Sequence, residues 1–101
     1  MKFGLKQRDI RTIQEVFRRF PQIKKVVMLG SRAMGNFKRG SDVDLAVMDN
    51  IKPEIVSKAS YILNEETTLP YLFDLLHYKS ISNKELKRHI DEEGVVFYER
   101  K

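Results

Sequence analysis

Two apolar runs of four residues, at positions 26–29 and 45–48, do most to restrict the fold of this chain. No apolar run in the sequence is longer, whereas a membrane-spanning helix needs about twenty apolar residues. Both runs contain valine and end at glycine or at a charged residue, which is typical of short buried strands. We therefore expect a protein built around a sheet, without a membrane anchor or a secretory signal.

Apolar residues recur with helical period in three other segments, at 8–20, 53–64 and 83–94. A proline stops the first segment, a proline opens the second, and the third begins with an asparagine that suits a helix N-cap and closes with a glycine. Short apolar stretches at 72–78 and 95–98 predict two more strands. The sequence thus predicts three helices, with a helical turn in addition, and up to four strands.

The connections between the strands predict their directions. The link from position 29 to position 42 holds only one helical turn, at 31–35, which suits an antiparallel return. The helix at 53–64 suits a crossover to a parallel strand. We expect an α/β (α+β) fold with a small mixed β-sheet and helices packed on it, formed as a single domain over residues 1–101.

A Gly-Ser pair stands where the first predicted strand ends. Glycine lets a phosphate approach the backbone, and the amides of the following turn and the Ser31 hydroxyl are suitable donors to phosphate oxygens. Many strand–turn junctions carry this pair without a ligand. A P-loop is excluded, because Asn36 and Phe37 follow Gly35 where that motif needs Lys and Ser or Thr.

Three aspartates lie in or beside predicted strands. Asp42 and Asp44 are two residues apart, so on a strand their side chains share one face, while Asp74 interrupts the apolar stretch LFDLL. Each has a simpler explanation: a solvated strand end for the first two, and exposure or an ion pair for the third. Together, three carboxylates beside a phosphate-binding turn fit a pair of Mg²⁺ ions and in-line displacement at phosphorus.

The motifs GSRAMG at 30–35 and SDVDL at 41–45 closely resemble the signature of the polymerase-β-like nucleotidyltransferase superfamily. The chain is most similar to the minimal nucleotidyltransferases (MNT). Its tail resembles the branch that is encoded beside a separate helical protein of the HEPN or substrate-binding type. The resemblance implies the polymerase-β-like fold and transfer of a nucleoside monophosphate, AMP from ATP, to an acceptor hydroxyl on that partner.

The resemblance also implies the catalytic residues. Asp42 and Asp44 would bind Mg²⁺ and link it to the nucleotide phosphates. Asp74 would be the third metal-binding carboxylate and would help to deprotonate the acceptor hydroxyl. Two Mg²⁺ ions and one ATP are the implied cofactor and substrate.

Four further residues are implied to contact the nucleotide phosphates or their loop. Gly30 and Ser31 would hold the β- and γ-phosphates, and supporting contacts would come from Arg32 and Ser41.

The uneven distribution of charge indicates possible partners, and the absence of cysteine indicates the cellular location. Residues 1–41 hold eleven Lys and Arg against two acids, whereas residues 42–101 hold eight against twelve. The basic half suits a phosphate-rich ligand, an acidic partner protein or a nucleic acid. Nucleic acid is not favoured, because no second domain is present to position an RNA end. The absence of cysteine suits a reducing cytoplasm, which is the expected location.

An alternative function remains open at this point. The chain would then be a non-catalytic antitoxin, an interaction module that neutralises a HEPN ribonuclease by binding it. A pure binding module has no need of three carboxylates in metal-binding positions, and that feature separates the two hypotheses.

Overall fold

Helices and strands alternate along the chain in a computed structural model that describes residues 2–100. In chain order the elements are α1 (Gln7–Arg18), β1 (Lys25–Leu29), α2 (Gly30–Met34), β2 (Val43–Val47), α3 (Pro53–Tyr61), β3 (Phe73–His77), α4 (Lys84–Glu93) and β4 (Val95–Glu99). A π-helical turn over Ile62–Glu66 extends α3, and a 3₁₀ turn over Tyr78–Ser80 follows β3. All of the predicted helices and strands are present.

The four strands form one sheet in the order β3-β2-β1-β4. Strand β1 is antiparallel to β2 and to β4, while β2 and β3 are parallel. The predicted mixed sheet and both predicted strand directions are therefore confirmed. Strand β2 is internal, so the acids at its start lie at an end of the sheet and not along its lateral edge.

The two faces of the sheet bury different elements. One face packs against the apolar stripe of α1, with Ile13 and Phe17 fully buried, and against α3. The other face packs against α4 through Ile90, which meets Val27 and Ala46. Side chains alternate between the two faces along a strand. In β2 and β3, the residues that lie between those facing α1 and α3 therefore face α4.

Local signals explain where several helices end. Gly35 closes α2 in the left-handed conformation, with φ of 83°, which glycine adopts without a steric penalty. Asn83 caps α4, because its side chain accepts a hydrogen bond of 3.0 Å from the Leu86 amide. Among residues 2–100, no helix combines the length and apolar character that crossing a membrane requires.

Candidate functional site

One end of the sheet brings together the residues of the two sequence motifs. Strand β1 runs into this end and stops at Leu29, while β2 and β3 start there. Leu29 pairs with Asp44 across the antiparallel ladder, and Asp44 pairs with Asp74 across the parallel one. Neighbouring strands lie about 4.8 Å apart, so the register places Asp44 and Asp74 side by side.

Asp44 and Asp74 also share one face of the sheet. Their neighbours Val43, Leu45 and Phe73 point into the core on the opposite face. The side chains of Asp44 and Asp74 therefore lie on the α4 side, at the end of the sheet. Asp44 is half-buried and Asp74 is exposed. Asp42 precedes β2 and is exposed.

The negative charges of Asp74 and Asp42 act on the carboxylate of Asp44. Burial raises the pKa of Asp44 above its ordinary value of 3.8, the negative charges of Asp74 and then Asp42 raise it further, and the positive charge of Arg32 opposes the shift. Like charges disfavour ionisation of a carboxyl group. We refer to Asp42, Asp44 and Asp74 as the aspartate triad.

Gly30 lies directly against the Asp44 carboxylate. Its φ of 73° is a backbone conformation that other residues adopt only at a cost. A Cβ added at this position would stand 2.6 Å from Oδ2 of Asp44. Glycine is therefore required here for two reasons, the turn and the close approach. The half-buried Ser31 follows in the first turn of α2.

Arg32 contacts the loop before β2, which is one of the two roles implied for it, and its phosphate contact stays a prediction. The side chain is 4% exposed and faces the interior. Its guanidinium donates to the carbonyl oxygens of Phe3 at 2.9 Å, of Ser41 at 2.7 Å and of Asp42 at 3.3 Å. Arg32 thus links the backbone just before β2 to the backbone at Phe3, and its bond to the Asp42 carbonyl helps to position Asp42.

Two aromatic rings complete the environment of Arg32. The guanidinium carbon lies 5.5 Å from the centre of the Phe37 ring and 5.4 Å from that of Tyr71, within the range of cation–π attraction. The Tyr71 hydroxyl in turn donates to Oδ2 of the buried Asp9 at 2.8 Å. Burial, followed by that hydrogen bond, raises the pKa of Tyr71.

Ser41 stabilises the turn that leads to the triad. Its Oγ accepts a hydrogen bond of 2.8 Å from the Lys38 amide, and its own amide donates to the Lys38 carbonyl at 3.0 Å. The hydroxyl proton has no role in these bonds, so the phosphate contact of Ser41 stays a prediction.

The donor set of the triad fits a hard divalent cation. Mg²⁺ binds through carboxylate oxygens and substrate phosphates, and a cation between the acids would relieve the repulsion that raises the pKa of Asp44. Within residues 2–100, no three acidic or histidine side chains are already arranged around a common metal position.

Comparison with known proteins decides the family. The sequence matches the family model described as polymerase beta nucleotidyltransferase over residues 11–101. The chain belongs to this nucleotidyltransferase family. A search of curated protein sequences finds no match.

Solved structures share the fold of this family member. A chain in a toxin–antitoxin complex with AMP-PNP has a TM-score of 0.73 at 20% identity, covering 92% of this chain and 75% of that one. A chain in the complex of tri-AMPylated Shewanella oneidensis HEPN toxin with MNT antitoxin has a TM-score of 0.69 at 17% identity, covering 95% and 74%. A predicted nucleotidyltransferase from Sulfolobus solfataricus has a TM-score of 0.56 at 25% identity, covering 91% and 78%. These similarities confirm the polymerase-β-like fold.

Proposed function

We propose that this member of the family is a Mg²⁺-dependent nucleotidyltransferase that transfers AMP from ATP to a hydroxyl group on a separate helical protein. The observation that carries the proposal is the interaction of Asp42, Asp44 and Asp74 beside Gly30. The negative charges of Asp74 and Asp42 raise the pKa of Asp44, and such repulsion lowers the stability of the folded protein unless a cation neutralises it. Such an arrangement is costly for a domain that only binds another protein.

The triad would hold the metal. Bound Mg²⁺ supplies positive charge to the α-phosphate and to the leaving pyrophosphate. Asp44 and Asp74 are fixed in position by the sheet, whereas Asp42 stands outside β2 on a segment tied down by Arg32. In this proposal the sheet would position two of the metal ligands, and the Arg32 contacts would position the third.

Gly30 and Ser31 would hold the phosphate groups of ATP. Without a side chain at position 30, a phosphate has access to the backbone beside Asp44. The Ser31 hydroxyl and the amides of the turn are suitable donors to phosphate oxygens. This turn and the triad lie at the same end of the sheet, so a nucleotide held by one lies within reach of the other.

The reaction joins the acceptor oxygen to the α-phosphorus of ATP. As that bond forms, the bond from the α-phosphorus to the bridging oxygen breaks and pyrophosphate leaves. The proton of the acceptor hydroxyl passes to a carboxylate oxygen of Asp74. Asp74 suits this role because it is exposed on the outer strand β3, where an acceptor can approach it.

A separate protein is the proposed source of the acceptor. The elements of residues 2–100 all belong to one sheet and the helices packed on it, so this part of the chain contains no further domain that could aim a substrate. Orientation of the acceptor accounts for much of the catalysis in transfer reactions. The similar fold of the MNT antitoxin, found with an AMPylated HEPN toxin, supports a helical HEPN-type partner.

Co-expression with the helical protein encoded nearby tests the proposal. We expect a stable complex and, with Mg-ATP, mass increments of one or more AMP groups on the partner. Asp74→Asn is the control, because it should keep the complex and lose the modification. A stable complex that stays unmodified under these conditions would identify the chain as a non-catalytic binding module. Efficient transfer to a small molecule or RNA by the chain alone would refute the role of the partner.

A further inference from the structure

The side chain of Asn64 forms a pair of hydrogen bonds with the backbone of Phe73. The Phe73 amide donates to Oδ1 of Asn64 at 2.9 Å, and Nδ2 of Asn64 donates to the Phe73 carbonyl at 3.1 Å. One primary amide thus satisfies both polar groups of a single strand residue. This is the pattern that one residue of an antiparallel neighbouring strand would make.

Strand β3 is at the edge of the sheet, so it has β2 on one side only. On the inner side, the Val43 amide donates to the Leu72 carbonyl at 2.9 Å. The polar groups of Phe73 point the other way, and an edge strand leaves such groups without a partner strand. Asn64 therefore supplies the missing neighbour at the start of β3.

The π-helical turn over Ile62–Glu66 brings Asn64 to this position. A π turn holds an extra residue compared with an α turn, which changes the direction in which later side chains point, and such turns are frequent at functional sites. Nδ2 of Asn64 also donates to the Ser60 carbonyl at 3.1 Å. That second bond fixes the orientation of the amide, with the oxygen toward the Phe73 amide.

Asp74 follows Phe73 directly, so the position of the Phe73 backbone determines that of Asp74. We propose that Asn64 is a positioning residue that keeps Asp74 in register with Asp44 for the transfer step; this rests on the proposed nucleotidyltransferase function. Asn64 touches neither nucleotide nor metal in this scheme and acts through the backbone of β3. Its effect should fall on turnover more than on nucleotide binding, because Gly30, Ser31 and Asp44 lie on other elements.

Asn64→Ala in the full chain with its helical partner tests the proposal. We expect kcat for AMP transfer to fall by about 100-fold, as for a small misplacement of a catalytic group, while KM for Mg-ATP stays within about twofold. Hydrogen exchange of the Phe73 amide should become about fivefold faster or more, because its acceptor is gone. Asn64→Asp should be at least as damaging, since its second oxygen would face the Phe73 and Ser60 carbonyls.

Asn83→Ala is the matched control. It also removes an asparagine amide that holds a backbone N–H, here that of Leu86, but at the start of α4. Its loss should lower stability without changing kcat or the exchange of the Phe73 amide. Equal kcat values for Asn64→Ala and Asn83→Ala, compared per folded molecule, would overturn the proposal.

Two outcomes separate this proposal from the proposed function. If the wild-type complex transfers no AMP, the nucleotidyltransferase function fails and the positioning role of Asn64 fails with it. If wild type transfers AMP but its Phe73 amide exchanges as fast as an unprotected amide, only the Asn64 proposal is overturned. The exchange measurement on wild type needs no variant, so the Asn64 proposal can be overturned even if Asn64→Ala does not fold.

Discussion

Replacing Gly30 by alanine tests whether the contact between this backbone and Asp44 is needed to bind nucleotide. With φ of 73°, a non-glycine residue at this position is strained by roughly 1–2 kcal/mol. The new Cβ would stand 2.6 Å from Oδ2 of Asp44, so the carboxylate must turn away, at about 0.5–1.5 kcal/mol if it leaves its preferred rotamer. The free energy of unfolding should therefore fall by about 1.5–3.5 kcal/mol, which a domain with a typical stability of roughly 5–15 kcal/mol survives.

Gly35→Ala is the matched control for this variant. Gly35 has φ of 83°, and a Cβ added there meets nothing within 4 Å, so alanine carries the backbone strain without the clash. Urea-induced unfolding measures the stability of both variants, and calorimetric titration measures their affinity for Mg-ATP. We expect Gly35→Ala to bind like wild type and Gly30→Ala to bind at least about tenfold more weakly, or about 1.4 kcal/mol. Equal affinities would refute the role assigned to this contact.

Two further predictions follow from the charges at the site. Because the pKa of Asp44 is raised in the folded state, the free energy of unfolding of wild type should fall as pH rises from 3.8 through the folded-state pKa. The Asp44→Asn variant should lose less stability over this range. Without metal it should be more stable than wild type at pH 7. Urea unfolding at several pH values checks this, and parallel pH profiles would contradict it. Arg32→Lys should lower stability by about 1–3 kcal/mol, since lysine cannot bond all three carbonyls; unchanged unfolding would show that the charge alone suffices.

Much of the fold follows from local patterns in the sequence. The helical period of α1, the proline at the start of α3 and the cap Asn83 each act within a few residues, so they are visible without the structure. The link between β1 and β2 is too short for a helical crossover, which predicts their antiparallel pairing. The π-helical turn over Ile62–Glu66 is not visible in this way, because no local pattern in the sequence distinguishes it from a continuation of α3.

The sequence predicts those parts of the candidate site whose signal lies within one segment, and it does not reveal contacts between distant segments. The Gly-Ser turn and the Asp42/Asp44 pair each lie within a few residues, so they are recognisable as candidates without the structure, and their roles stay predictions. Arg32 lies in the same motif, but its carbonyl partners include Phe3, 29 positions away. The Asn64 contact with β3 was missed because an isolated asparagine near a helix end has many ordinary roles.

Calorimetric titration of the chain with ATP, once with Mg²⁺ and once with EDTA, tests whether the aspartate triad binds metal and nucleotide together. We expect nucleotide binding to require Mg²⁺ in the wild-type protein. The double variant Asp42→Ala with Asp44→Ala should keep its fold, as circular dichroism would show, and lose the Mg²⁺-dependent binding. Unchanged affinity for Mg-ATP in the folded double variant would contradict the assignment of the aspartate triad as the metal and nucleotide site.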